Sequence, residues 1–219
     1  MKYGPDPETW PEYRRAMKYE LDAAGIPEDT VWEMVNSRFD YPQAVPIMVD
    51  WLQNLDDRVP PGEPRRAMRL GLMRNLITRH AKGNREAVEI LFHQFDVEPP
   101  LDANELSVTV QALVPLLERE DFPRVKELLR FRPPGADAWD PGWWPPGELV
   151  RWLGKIKDDE AKQLALEQLG NERNRIEAMR ALAQQRATGV RDAVARYLDD
   201  EHQVFRKEAA KTLAKLPDE

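Results

Sequence analysis

Five polar residues recur at one position of a repeating pattern, and four of them are cations. Arg74, Gln111, Arg151, Arg180 and Lys211 each follow an apolar residue (Met73, Val110, Val150, Met179, Ala210) and stand two before a leucine (Leu76, Leu113, Leu153, Leu182, Leu213). Aligned guanidinium and ammonium groups can hold phosphates or the carboxylates of an acidic peptide. A second set is Trp139, Trp143 and Trp144, in the segment RPPGADAWDPGWWPPG (132–147). Large amphipathic rings in a loop are the material of protein-binding hot spots. Each set also has a purely structural use. Arginines that enter or cross the second helix commonly bond acids or carbonyls of the adjoining turn, and Asp56, Asp57, Asp199 and Asp200 stand where such partners would be. The tryptophans can equally fold back and fill the groove beside a long loop.

Covalent and acid–base chemistry find no residues to carry them. His80, His93 and His202 are far apart and form neither an HxH nor an HxxxH ligand set. No phosphate-binding loop, dinucleotide fingerprint or nucleophile elbow occurs. Cysteine is absent, which removes disulfides, thiolate nucleophiles and Cys metal sites. The doublets Asp56–Asp57, Asp158–Asp159 and Asp199–Asp200 fall at turns, where Asp caps helices. The expectation is therefore a non-catalytic protein without catalytic residues, metal ligands or a cofactor. Its net charge of −7 disfavours broad nucleic-acid or anionic-membrane binding by the average surface. No stretch approaches a membrane span, and MKYGPDPETWPEYRR lacks an apolar leader core, so a cytoplasmic location is expected.

The polar ladder needs helices to present it. GLMRNLITRHAKGNREAVEILF (71–92) and EAMRALAQQRATGVRDAVARYL (177–198) align without a gap, sharing Met73/Met179, Arg74/Arg180, Leu76/Leu182, Ala81/Ala187, Gly83/Gly189 and Val88/Val194 among others. Each is the end of one helix, a turn with Gly and the start of the next, the mark of a helical repeat. Periodicity predicts five pairs: 42–55 with 64–79, 84–95 with 103–118, 122–131 with 146–157, 159–169 with 172–185, and 189–198 with 202–216. An N-terminal hairpin precedes them, beginning near Pro7 and broken at Gly25. Pro-rich loops at 56–64, 96–104 and 132–147 divide the first three pairs; short turns divide the last two.

The last unit, VRDAVARYLDDEHQVFRKEAAKTLAKL (190–216), resembles a HEAT repeat: an apolar first helix, an Asp-containing turn, then Val204 and Arg206 entering a helix with Ala209, Ala210 and Leu213. YPQAVPIMVDWL followed by LMRNL and AKG is similar to bacterial HEAT-repeat proteins of unassigned role. The resemblance, over 41–216, implies an all-α right-handed α-solenoid of five HEAT-type pairs: residues 41–219 as one continuous array, 1–40 as its helical hairpin cap. In HEAT arrays second helices usually line the concave face. The resemblance thus implies a locally basic groove and a scaffold role toward a protein partner, through that groove and the Pro/Trp-rich loop edge. The alternative is a nucleic-acid-binding protein resembling the HEAT-like alkylpurine DNA glycosylases, whose concave face is basic and carries aromatics.

Overall fold

The computed structural model describes residues 9–132 and 145–218. These are all-α, without a strand, and the chain falls into two compact units, Met1–Leu116 and Leu117–Glu219. The first holds α1 (Glu12–Ala23), α2 (Val31–Val35), α3 (Ala44–Gln53), α4 (Leu55–Arg58), α5 (Glu63–Asn75), α6 (Arg85–His93) and α7 (Ala103–Leu113). The second holds α8 (Phe122–Arg130), α9 (Gly147–Trp152), α10 (Asp159–Gln168), α11 (Arg175–Gln185), α12 (Arg191–Ala195) and α13 (Gln203–Leu213), with 3-10 turns at Arg119–Asp121 and Leu153–Lys155.

Helix boundaries follow local chemistry. Thr30, Asn84 and Asp158 accept backbone N–H bonds at the starts of α2, α6 and α10. Asp102 does so for α7, where Glu105 reaches back to the Asp102 amide and completes a capping box. Gly83 and Gly189, paired in the internal alignment, have φ of +81° and +74° with open space where a Cβ would sit. They are glycines because the backbone turns left-handed there, not because space is short. The hairpin departs from expectation at its start: α1 begins after Pro11, and residues 1–8 lie outside the described ones. Gly25 ends it with φ +72°.

Packing repeats the same scheme in each unit. In the first, α3 packs on α5 and α6 on α7 as pairs, while α3 touches α6 and α5 touches α7. The hairpin joins this unit through α1 on α3 and α2 on α5. In the second, α8 packs on α9, α10 on α11 and α12 on α13, and α11 lies against both α9 and α13. The apolar residues flanking the ladder are buried in four of five places: Met73, Leu76, Val110, Leu113, Val150, Leu153, Met179 and Leu182 are all at 0% exposure. The fifth differs. Ala210 is exposed and Leu213 half-buried. On α13 the covered face runs through Phe205, Ala209 and Thr212, since its main contacts are α11 and α12.

Arginines close the joints within pairs. Arg65 donates from Nε to the Val59 carbonyl at 2.9 Å, Arg175 from Nε to Leu169 at 3.0 Å, and Arg206 from Nη1 to Asp200 at 2.6 Å, each six residues back. These carbonyls belong to the end of the preceding helix or its turn, where helix acceptors are orphaned. Arg175 is also stacked between Tyr197 and Phe205, 4.6 Å from each ring, and pairs with Asp200.

A charged seam joins α5 to α7. Arg66 bonds Asp102, and Arg69 meets Glu105 at 3.5 Å with both side chains buried. Burial pushes the Asp102 carboxyl up, but the Glu105 amide and the Arg66 guanidinium outweigh it and hold the group below its ordinary value of 3.8. A carboxyl depressed on folding stabilises above its unfolded pKa and loses that contribution as pH falls through the folded value. Asp102→Ala is therefore expected to cost about 1–2 kcal/mol near neutral pH through the lost cap. The deficit relative to wild type shrinks below about pH 4. Denaturant midpoints at pH 7 and pH 3 check both the size and the sign.

Candidate functional site

Three of the four ladder cations come together in the second unit. Arg151 on α9, Arg180 on α11 and Lys211 on α13 line one groove of about 450 Å³, with Ala183, Gln184, Glu208, Thr212 and Lys215. The three helices are held side by side by small residues and directional bonds. α11 buries Ala178, Ala181 and Ala183 beside Met179 and Leu182. At Gly154 a Cβ would lie 3.0 Å from the Ala181 Cα, so the close approach of the 153–155 turn to α11 leaves a larger residue little room. Gln185 donates to the Leu153 carbonyl at 2.9 Å, and Thr212 to the Met179 carbonyl at 3.4 Å. Trp152 is buried at 2% exposure and donates to the Leu117 carbonyl at 3.4 Å.

The charges in the groove are ordered. Glu177 accepts from Arg151 Nη1 at 3.4 Å and from Arg180 Nη1 at 2.7 Å. Glu208 accepts from Arg180 Nε at 3.1 Å. The row across the helices thus runs Arg151, Glu177, Arg180, Glu208, and Lys211 follows one turn along α13. Burial separates the signs. Arg151 and Arg180 side chains are 59% and 40% exposed, whereas Glu177 and Glu208 are 22% and 13%. The acids lie beneath and orient the cations, which project. The hydrogen bond that Arg180 donates to Glu208, with Glu177 adding charge, raises the Arg180 guanidinium above its ordinary pKa against its partial desolvation. Lys211 and Lys215 are exposed and have no carboxylate partner among the described residues. Four cations over two carboxylates leave this surface positive on an acidic protein and suited to oxyanions.

The remaining candidates fall elsewhere. Arg74 belongs to the first unit, half-buried on α5, with its Nε enclosed and without an acceptor among the described residues. Gln111 is exposed and donates to Ser107. Trp139, Trp143 and Trp144 lie outside the described residues. His80 Nε2 lies 2.9 Å from Asp40, and His202 lies near Glu172 and Glu201. Among the described residues no cluster of three or more His, Asp or Glu could hold a metal ion, and no helix is long and apolar enough to cross a membrane.

The acids that orient the ladder are not the turn aspartates that the sequence offered. Asp56 and Asp200 are taken by Arg65 and Arg175. Glu177, Glu208 and Lys215 were missed, yet a signal exists. Glu148–Arg151, Glu177–Arg180 and Glu208–Lys211 repeat one i, i+3 pattern, and 177/208, 180/211 and 184/215 share one interval. No protein-family model matches the chain, and no curated protein matches it.

Proposed function

We propose that this chain is a HEAT-type helical-repeat interaction protein that captures an acidic segment of a protein partner in the groove formed by α9, α11 and α13. The observation that carries this reading is the layering of charge. Projecting cations from successive second helices share one groove, with their orienting carboxylates beneath them. Preorganised guanidiniums lose little freedom on binding a carboxylate, which favours them over free surface lysines. The repeat reading draws on the bonds between successive second helices. Arg66–Asp102, Arg69–Glu105 and Thr109–Met73 each span 36 residues. Gln185–Leu153 and Thr212–Met179 span 32 and 33.

The test is fluorescence anisotropy with labelled acidic peptides and with single-stranded and duplex oligonucleotides, at low and physiological salt. An acidic peptide binds, and Lys211→Glu/Lys215→Glu weakens it about tenfold or more, equivalent to about 1.4 kcal/mol. Circular dichroism verifies that the variant keeps its helices. Peptide binding indifferent to the reversal removes the groove from the account. Tighter, steeply salt-dependent binding of oligonucleotides replaces the reading with phosphate-backbone recognition.

A further inference from the structure

We infer that the groove selects a polyproline-II segment with an acidic residue at every third position, lying across α9, α11 and α13. This inference rests on the acidic-segment reading and adds the spacing and conformation of the ligand.

Two periods carry it. The projecting cations come one from each successive helix, and packed helices lie about 8–10 Å apart. A polyproline-II chain has three residues per turn and rises about 3.1 Å per residue, so every third side chain shares one face about 9 Å from the last. The two repeats match. A β-strand fails the match because its side chains alternate, placing positions i and i+3 on opposite faces. The two residues between acids point away from the cation row and can be proline or small polar residues, which favour the required conformation.

The carboxylates set the selectivity. Glu177 stands between Arg151 and Arg180, and Glu208 on the far side of Arg180. A ligand with charges spaced at the helix interval meets cations and passes over these acids with neutral residues. A ligand with contiguous charge sets anions opposite Glu177 and Glu208, and like charges in register are a means of rejecting wrong partners. A nucleic-acid strand carries a phosphate about every 3.4 Å of duplex axis and falls in the rejected class. The extra lysine, Lys215, extends the positive surface one turn beyond Lys211 on the same helix.

Three labelled peptides of equal length and composition test this, each with the same number of Glu, Pro and Ser. One carries Glu in every third place, one alternates Glu with neutral residues, and one has all Glu in a block. Binding is measured by anisotropy on the full chain, wild type and Glu177→Gln/Glu208→Gln. The triplet peptide is expected to bind at least tenfold tighter than the block. The double variant keeps acceptors for Arg180, and in it the block peptide gains and the ratio falls toward one. Equal binding of all three peptides to wild type overturns the inference and leaves the acidic-segment reading standing. An unchanged ratio in the double variant also overturns it, because the carboxylates then set no selectivity. Failure of every peptide overturns the reading itself.

Discussion

Leu182→Asp is expected to abolish the cooperative fold of the second unit. Leu182 is at 0% exposure on α11, the helix that touches α9, α10, α13 and the 153–155 turn. Removing the buried leucine costs about 2–5 kcal/mol. The carboxylate that replaces it has no cation within the apolar face, and an unpaired buried charge adds several kcal/mol more. Together these match the whole stability of an ordinary domain, about 5–15 kcal/mol. Leu182→Met conserves volume and should cost under about 1.5 kcal/mol. Thermal melting followed by far-UV circular dichroism, with amide exchange resolved along the chain, reads the result. Retained protection across 117–218 in the aspartate variant would show that α11 is not the hub of this unit.

Arg69→Met should destabilise the first unit by about 3–5 kcal/mol, because it strands the Glu105 carboxylate in the interior. Arg69 is 7% exposed and Glu105 4%, so water reaches neither freely. Arg66 stands 3.6 Å from Glu105, but its closer bond is to Asp102, which limits how far it can substitute. The companion variant Arg69→Met/Glu105→Gln is expected to recover most of the loss. Glutamine keeps an oxygen for the Asp102 amide, so the capping box survives while the charge goes. The buried pair is itself imperfect, since the Arg69 Nε is enclosed without an acceptor. Breaking one side of such a pair is costly, whereas neutralising both sides is often nearly free. For a unit of this size the single variant lowers the melting point by roughly 10–20 °C. A double variant as unstable as the single one would locate the damage in lost packing instead.

The ten helices of the five pairs were legible because their cores repeat at helical period and their joints carry Gly and Pro. Gly83 and Gly189 are the clearest case, identical in sequence and alike in backbone. The short helix α4 was not legible: DDRVPPGEP carries no apolar period and reads as a loop. It forms because Leu55 and Val59 bury at its two ends and Arg58 covers Trp51, 4.9 Å from the ring, while pairing with Asp50. The exposure of Ala210 was equally hidden, since a repeat pattern states which face is apolar, not whether a neighbour covers it. At the groove, sequence located the cations; the turn aspartates Asp56 and Asp200 serve arginines that enter second helices, and the ladder's own acids, Glu177 and Glu208, went unnamed. Helix-surface neighbours at i−3 and turn acids both lie within reach of an arginine, and only the fold decides between them.

The six-residue arginine bonds at Arg65, Arg175 and Arg206 bear on how the chain reaches its native state. Each closes a ring of only six residues between the start of a second helix and the carbonyl that precedes it, where closure entropy is small. A hairpin so fastened can form before either neighbour is present. Growth of each unit then proceeds by docking preformed hairpins at separations of 32–36 residues, a low-contact-order route that favours rapid folding. The same bonds leave register errors few places to begin, because an out-of-step hairpin would carry its arginine past the carbonyl that receives it.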